Sequence, residues 1–160
     1  MTMFQMRKPL LLLIFAFTLA GGGIISIEWA VAHMNASGVI KERMMLMKDI
    51  SKSMKQIAAM MKGEVDYDSE KMSSLASIIA SKGGERITKL FPNGSLDEIT
   101  EALPSIWQNW AKFKAVSGQL EIAANELKAA SGDQFDAMGP FQKLAQTCGA
   151  CHRTFRQKKN

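Results

Sequence analysis

The chain has 160 residues, 47% of them hydrophobic, and its 20 basic side chains against 15 acidic ones give a net charge of +5. The basic residues are spread along the whole length, gather only at Arg153, Arg156, Lys158 and Lys159, and form no stripe interleaved with aromatics, so a nucleic-acid partner is not expected. A chain of this size suits one domain that hides roughly two thirds of its unfolded surface.

Residues 1–32 read as an export signal. Arg7 and Lys8 precede the uncharged run "LLLLIFAFTLAGGGIISI", and Ala30 and Ala32 supply a small-residue cleavage site. Cleavage after Ala32 leaves a domain of residues 33–160 with a net charge of about +4, because Arg7, Lys8 and Glu28 depart together. Pro9 to Ile27 is 19 residues without a charge, close to the ~20 that cross a bilayer, so a membrane association is expected only if the segment is retained. Both readings place the rest of the chain outside the cytoplasm, and the three glycines Gly21 to Gly23 favour cleavage and a periplasmic protein. His33 then stands at the new N-terminus, where a free imidazole is the default.

From Val39 onward the apolar residues fall at helical spacing. In the first segment Met47, Ile50, Met54, Ile57 and Met61 alternate steps of three and four, the seam of a bundle helix. Gly63 stops it, "EVDYD" is a loop, and Asp68 or Ser69 caps a second helix running to about Leu90, bent near Gly83 and Gly84. "FPNGS" is a turn cluster, and Ser95 with Glu98 reads as a capping box for a short helical piece before Pro104. Pro104 opens a third helix to about Ala130, with Ile106, Trp107, Trp110, Phe113, Leu120 and Leu127 facing inward. After "SGDQ" a last helix spans about Phe135 to Lys158. The expected fold is all-α, an antiparallel four-helix bundle.

The last helix carries the chemistry. Cys148, Cys151 and His152 occupy i, i+3 and i+4, so the three side chains share one face. The spacing C-x-x-C-H is the attachment motif of c-type haem, in which two thiols add to the haem vinyl groups and the adjacent imidazole binds iron. A zinc site would need a fourth ligand that only His33 or a carboxylate can supply. A thioredoxin-like pair wants a βαβ pattern that is absent, and a plain disulfide leaves the histidine unexplained.

The order of "VIKERMMLMK", "AAMMKGE", "LFPNGS", "ALPSIWQNWAKF" and "CGACHRTFR" resembles the class II c-type cytochromes, the family of cytochrome c prime and its methionine-ligated relatives. The resemblance covers essentially everything after the signal. It implies one covalent haem c, anchored by Cys148 and Cys151 with His152 as the proximal ligand, in a periplasmic bacterial protein. It also implies that the distal residue comes from the first helix four positions after an arginine, which makes Arg43 the marker and Met47 the residue. A thioether is a competent axial ligand and raises the reduction potential. Met47 also sits among six methionines between Met44 and Met61, where plain packing is the alternative and Met44 is a competitor. Arg43 is expected to meet a haem propionate or else a surface carboxylate such as Glu42 or Asp49. Arg156, one turn beyond His152, is expected beside the haem edge or in solvent, and Trp107 with Trp110 in the wall of the pocket or simply in the core.

The leading expectation is a periplasmic carrier of single electrons serving redox partner proteins, with iron held by His152 and Met47. The alternative is a five-coordinate protein that binds nitric oxide or carbon monoxide. An enzyme would want a distal base or polar cluster, which the stripe of the first helix does not offer, so catalysis is not expected. Dimers among relatives make a homodimer the other association to expect.

Overall fold

Six helices follow one another between residues 38 and 158, the span that the computed structural model describes. They are α1 (Gly38–Met61), α2 (Ser69–Lys82), α3 (Glu85–Thr88), α4 (Ser105–Gln108), α5 (Trp110–Ala129) and α6 (Gln134–Phe155). The export signal, His33 and Lys159 lie outside the described residues. α1, α2, α5 and α6 are the four long members of the expected bundle, and α3 and α4 are single turns. Each long helix packs on the next in chain order, α1 on α2, α2 on α5 and α5 on α6. Among the described residues there is no strand, only one isolated antiparallel bridge between Ala102 and Arg156.

Local chemistry sets the helix ends. Asp68, not Ser69, caps α2 by accepting the Lys71 N–H at 2.9 Å, and Asp133 caps α6 by accepting the Phe135 N–H at 2.8 Å. The two turns lie at the same end of the bundle, where the Tyr67 hydroxyl donates to the Ser131 carbonyl at 2.8 Å and Gln134 Nε2 to the Met60 carbonyl at 3.3 Å.

Three expectations need correction. The second helix does not run on to Leu90. It stops at Lys82, because Gly83 and Gly84 bring the chain against α5: the Gly84 N–H donates to the Ser117 carbonyl at 2.8 Å, and Gly84 has φ of 55°. A Cβ on Gly83 would lie 2.8 to 2.9 Å from the Cβ, Cα and N of Glu121. Gly83→Ala is therefore expected to push α2 off α5 and cost about 1–3 kcal/mol, read as a lower melting temperature of the holoprotein. An unchanged melting temperature would show that the two helices slide apart freely. The capping box at Ser95 forms no helix, since the Ser95 hydroxyl is taken by Arg43 while Asp97 closes a turn on the N–H groups of Ile99 and Thr100. The third helix is broken at Asn109 (φ −125°, ψ 44°), which separates α4 from α5.

The core follows the 3–4 spacing: on α1 Ile50 and Ile57 are buried as expected, while Met47, Met54 and Met61 give way to their neighbours Leu46, Ser53 and Met60. The buried stripe there is Ile40, Arg43, Leu46, Ile50, Ser53, Ile57 and Met60. Met47, Met54 and Met61 form a half-buried edge packed against the core. α5 buries Phe113, Ser117, Leu120, Ala123, Ala124 and Leu127, with the Ser117 hydroxyl satisfied by the Phe113 carbonyl at 2.8 Å.

Candidate functional site

On α6 the apolar positions Ala137, Leu144 and Phe155 are buried, and Cys148 and Cys151 lie between them on the same face, half-buried and packed against the core. Both are free cysteines. Burial pushes the Cys148 thiol up, and burial together with the neighbouring Cys148 pushes Cys151 to about 11. His152 takes the outer edge of the same face. Desolvation of its ring, then the nearby Arg156 cation, lower its pKa against an opposing pull from Glu101, which favours the neutral imidazole that a metal requires. Among the described residues no group of three or more His, Cys, Asp or Glu side chains converges on a metal-sized site. Two thiols and an imidazole that lie along one helix face without converging suit attachment to a macrocycle at separate points. They do not suit a tetrahedral ion.

The turn that presents His152 is held from outside α6. The Leu103 N–H donates to the Phe155 carbonyl at 3.0 Å, the Gln157 N–H to the Glu101 carbonyl at 2.8 Å, and the Ser105 hydroxyl to the Thr154 carbonyl at 2.9 Å. From within, the Phe155 ring packs edge-on against Phe113 with centroids 5.2 Å apart, and Phe113 meets Phe91 at 4.9 Å and Trp110 at 5.5 Å. Arg156 is the C-cap residue of α6, and its guanidinium binds one oxygen of Glu101, Nε at 2.6 Å and Nη2 at 2.5 Å. Arg156 is thus not the free solvated side chain that one of its two expected places required, since Glu101 holds it.

α1 meets the start of α6 at one end of the bundle. Gln134 and His152 are 18 residues apart, five turns of 3.6, so they share one edge of α6, and Gln134 reaches the α1 carbonyl of Met60. The helices run antiparallel from that meeting point. At 1.5 Å per residue, Met47 lies ~20 Å along α1 and Cys148 ~21 Å along α6, one level in the bundle, with Arg43 and His152 roughly a turn further out.

Arg43 is 5% exposed and makes no surface ion pair with Glu42 or Asp49; Asp49 is bound instead by Lys82 at 2.8 Å. Its Nε donates to the Leu90 carbonyl, Nη1 to the Ser95 carbonyl at 2.8 Å, and Nη2 to the Ser95 hydroxyl, while the guanidinium stacks 4.1 Å from the Phe91 ring centroid. Burial lowers its pKa. Trp107 Nε1 donates to the Phe91 carbonyl at 3.1 Å, and Trp107 and Trp110 line a cleft of about 480 Å³ with Phe91, Pro92 and Lys89. The loop of residues 90–95 thus joins Arg43 to the tryptophans. Sequence spacing marked this loop as a turn but gave no sign that it anchors Arg43, nor of Glu101, because these contacts join residues more than forty positions apart in the chain.

The family model described as Cytochrome C' matches residues 38–156. The chain is 35% identical over 124 residues to cytochrome c-556 of Agrobacterium tumefaciens (strain II Chrys), covering 77% of this chain and all of the relative. It is 31% identical over 144 residues to cytochrome c' of Rhodopseudomonas palustris (strain ATCC BAA-98 / CGA009), covering 89% and 96% of the two. The solved structure of cytochrome c' from Rhodopseudomonas palustris superposes with a TM-score of 0.73 at 31% identity, over 78% of this chain and all of that one.

Proposed function

The chain belongs to the cytochrome c' family and is a monohaem c-type cytochrome, and from that premise we propose that it carries single electrons in the periplasm between redox partner proteins. One covalent haem c supplies the redox-active iron. Cys148 and Cys151 are the thioether anchors and His152 the proximal ligand, a reading supported by the half-buried face the two cysteines share, by the exposed edge His152 takes beside them, and by the neutral state that its surroundings favour for His152. Met47 is the distal residue, and its thioether completes the coordination. The observation that carries this reading is its position: half-buried on the edge of α1, level with Cys148 and one turn from the anchored Arg43. Each Nη of Arg43 retains a second N–H beyond those given to Ser95, and we assign this capacity to a haem propionate. Trp107 forms part of the pocket wall.

A second reading draws weight from the likeness to solved cytochrome c'. There Met47 only packs, the iron is five-coordinate, and the protein binds nitric oxide or carbon monoxide. The test is the absorption spectrum of the ferrous holoprotein with and without carbon monoxide. The carrier is expected to show no change, and a prompt shift of the Soret band would replace that reading with the gas-binding one.

A further inference from the structure

Glu101 lies in the segment before α4, far in sequence from the helix that holds the haem-binding face. Its contact with that helix is nonetheless the closest ion pair in the described structure. Around it the backbones of residues 101–103 and 155–157 run antiparallel, joined by the Ala102–Arg156 bridge and by two hydrogen bonds, Leu103 N–H to Phe155 O and Gln157 N–H to Glu101 O. These main-chain bonds already hold the segment to α6, so the side-chain pair is not needed for attachment.

Nor is the pair built for stability. The Arg156 side chain is 46% exposed and that of Glu101 31%, a setting in which ion pairs contribute little to folding. What the pair does fix is where two charges stand. Arg156 donates its backbone N–H to the His152 carbonyl at 3.1 Å, which puts its side chain one turn beyond the imidazole. Both nitrogens that Arg156 directs at Glu101 meet the same Oε2, so the cation is held to one direction and partly neutralised there. Charges near an iron centre bias its two oxidation states, because the oxidised state carries one more positive charge.

We propose that Glu101 is a positioning residue for the iron site: through its ion pair it holds the Arg156 cation in place and so sets the charge beside the His152 imidazole. The proposal rests on His152 being the iron ligand. Glu101 thereby lowers the midpoint potential and Arg156 raises it, and the pair together leaves the iron close to the value set by its axial ligands.

The test is the midpoint potential of the holoprotein, measured at low and high ionic strength for the wild type, Glu101→Gln, Arg156→Gln, the double variant and Glu101→Asp. Glu101→Gln is expected to raise the potential and Arg156→Gln to lower it. The double variant should return toward the wild type, Glu101→Asp should stay near it, and both single shifts should shrink in high salt. Melting temperatures recorded alongside separate loosening from electrostatics, since a purely structural latch would lower stability in both single variants and move the potential in one common direction. That outcome, or no shift for Glu101→Gln at low salt, would overturn the proposal. A His152→Met holoprotein with an unchanged absorption spectrum would overturn the ligand assignment and this role together. Five-coordinate wild-type iron would defeat the assignment of Met47 alone, because a midpoint can be read at either coordination number.

Discussion

Met47→Ala is expected to turn the holoprotein from a closed, low-spin form into a high-spin one that binds carbon monoxide. The wild type, with a thioether opposite His152, should show a weak far-red sulfur-to-iron absorption in the ferric state, which the variant loses. The potential should fall as well, since methionine ligation stabilises the reduced iron. The packing cost is small by comparison, ~1–2 kcal/mol for shortening a half-buried methionine, so the variant remains folded and its spectrum can be interpreted. Met44→Ala provides the control. Met44 is also half-buried and lies one turn nearer the N-terminus of α1. A Met44 variant that opens the iron while Met47→Ala does not would transfer the ligand to that position. A wild type that is already high-spin makes Met47 a packing residue and leaves the gas-binding reading in its place.

How far the site could be read from the sequence depends on how local each feature is. The four long helices and the shared face of Cys148, Cys151 and His152 follow from periods of three and four, which any helix enforces whatever surrounds it. The caps at Asp68 and Asp133 are equally local. Apart from the break at Asn109, the main failures are long-range. On α1 Ile50 and Ile57 stay buried but the methionines of the expected stripe yield to their neighbours, and the decisive buried residue, Arg43, is of a type that is almost always exposed. Gly83 looks like a bend until the backbone of Glu121 is seen against it. Ser95 and Glu98 have the spacing of a capping box, and a guanidinium from another helix takes the serine. Glu101 has no motif at all, and its role exists only where the chain end folds back beside it.

Arg43 carries the other large effect. A buried guanidinium is costly to desolvate, which is why its pKa is lowered, and it is tolerated here because Leu90 and Ser95 accept three of its N–H groups and the Phe91 ring stacks on it. Arg43→Ala removes those bonds together and leaves the Leu90 and Ser95 carbonyls without their donors. Charge-assisted hydrogen bonds of this kind are worth ~1.5–3 kcal/mol each. The relief of desolvation offsets part of their loss, so the expected net destabilisation is ~2–4 kcal/mol, measured by denaturant unfolding of the holoprotein. Arg43→Lys distinguishes charge from shape. An ammonium keeps the charge but cannot reach three acceptors in a planar fork or stack on Phe91, so most of the loss should persist. Full recovery with lysine would mean that charge alone matters at this position and that the loop does not depend on the fork. The loop offers a second readout, because its Phe91 carbonyl accepts the Trp107 indole N–H. Releasing the loop should therefore change Trp107 fluorescence in Arg43→Ala before global unfolding begins, and a Trp107→Phe background should abolish that early change while leaving the unfolding midpoint shift in place.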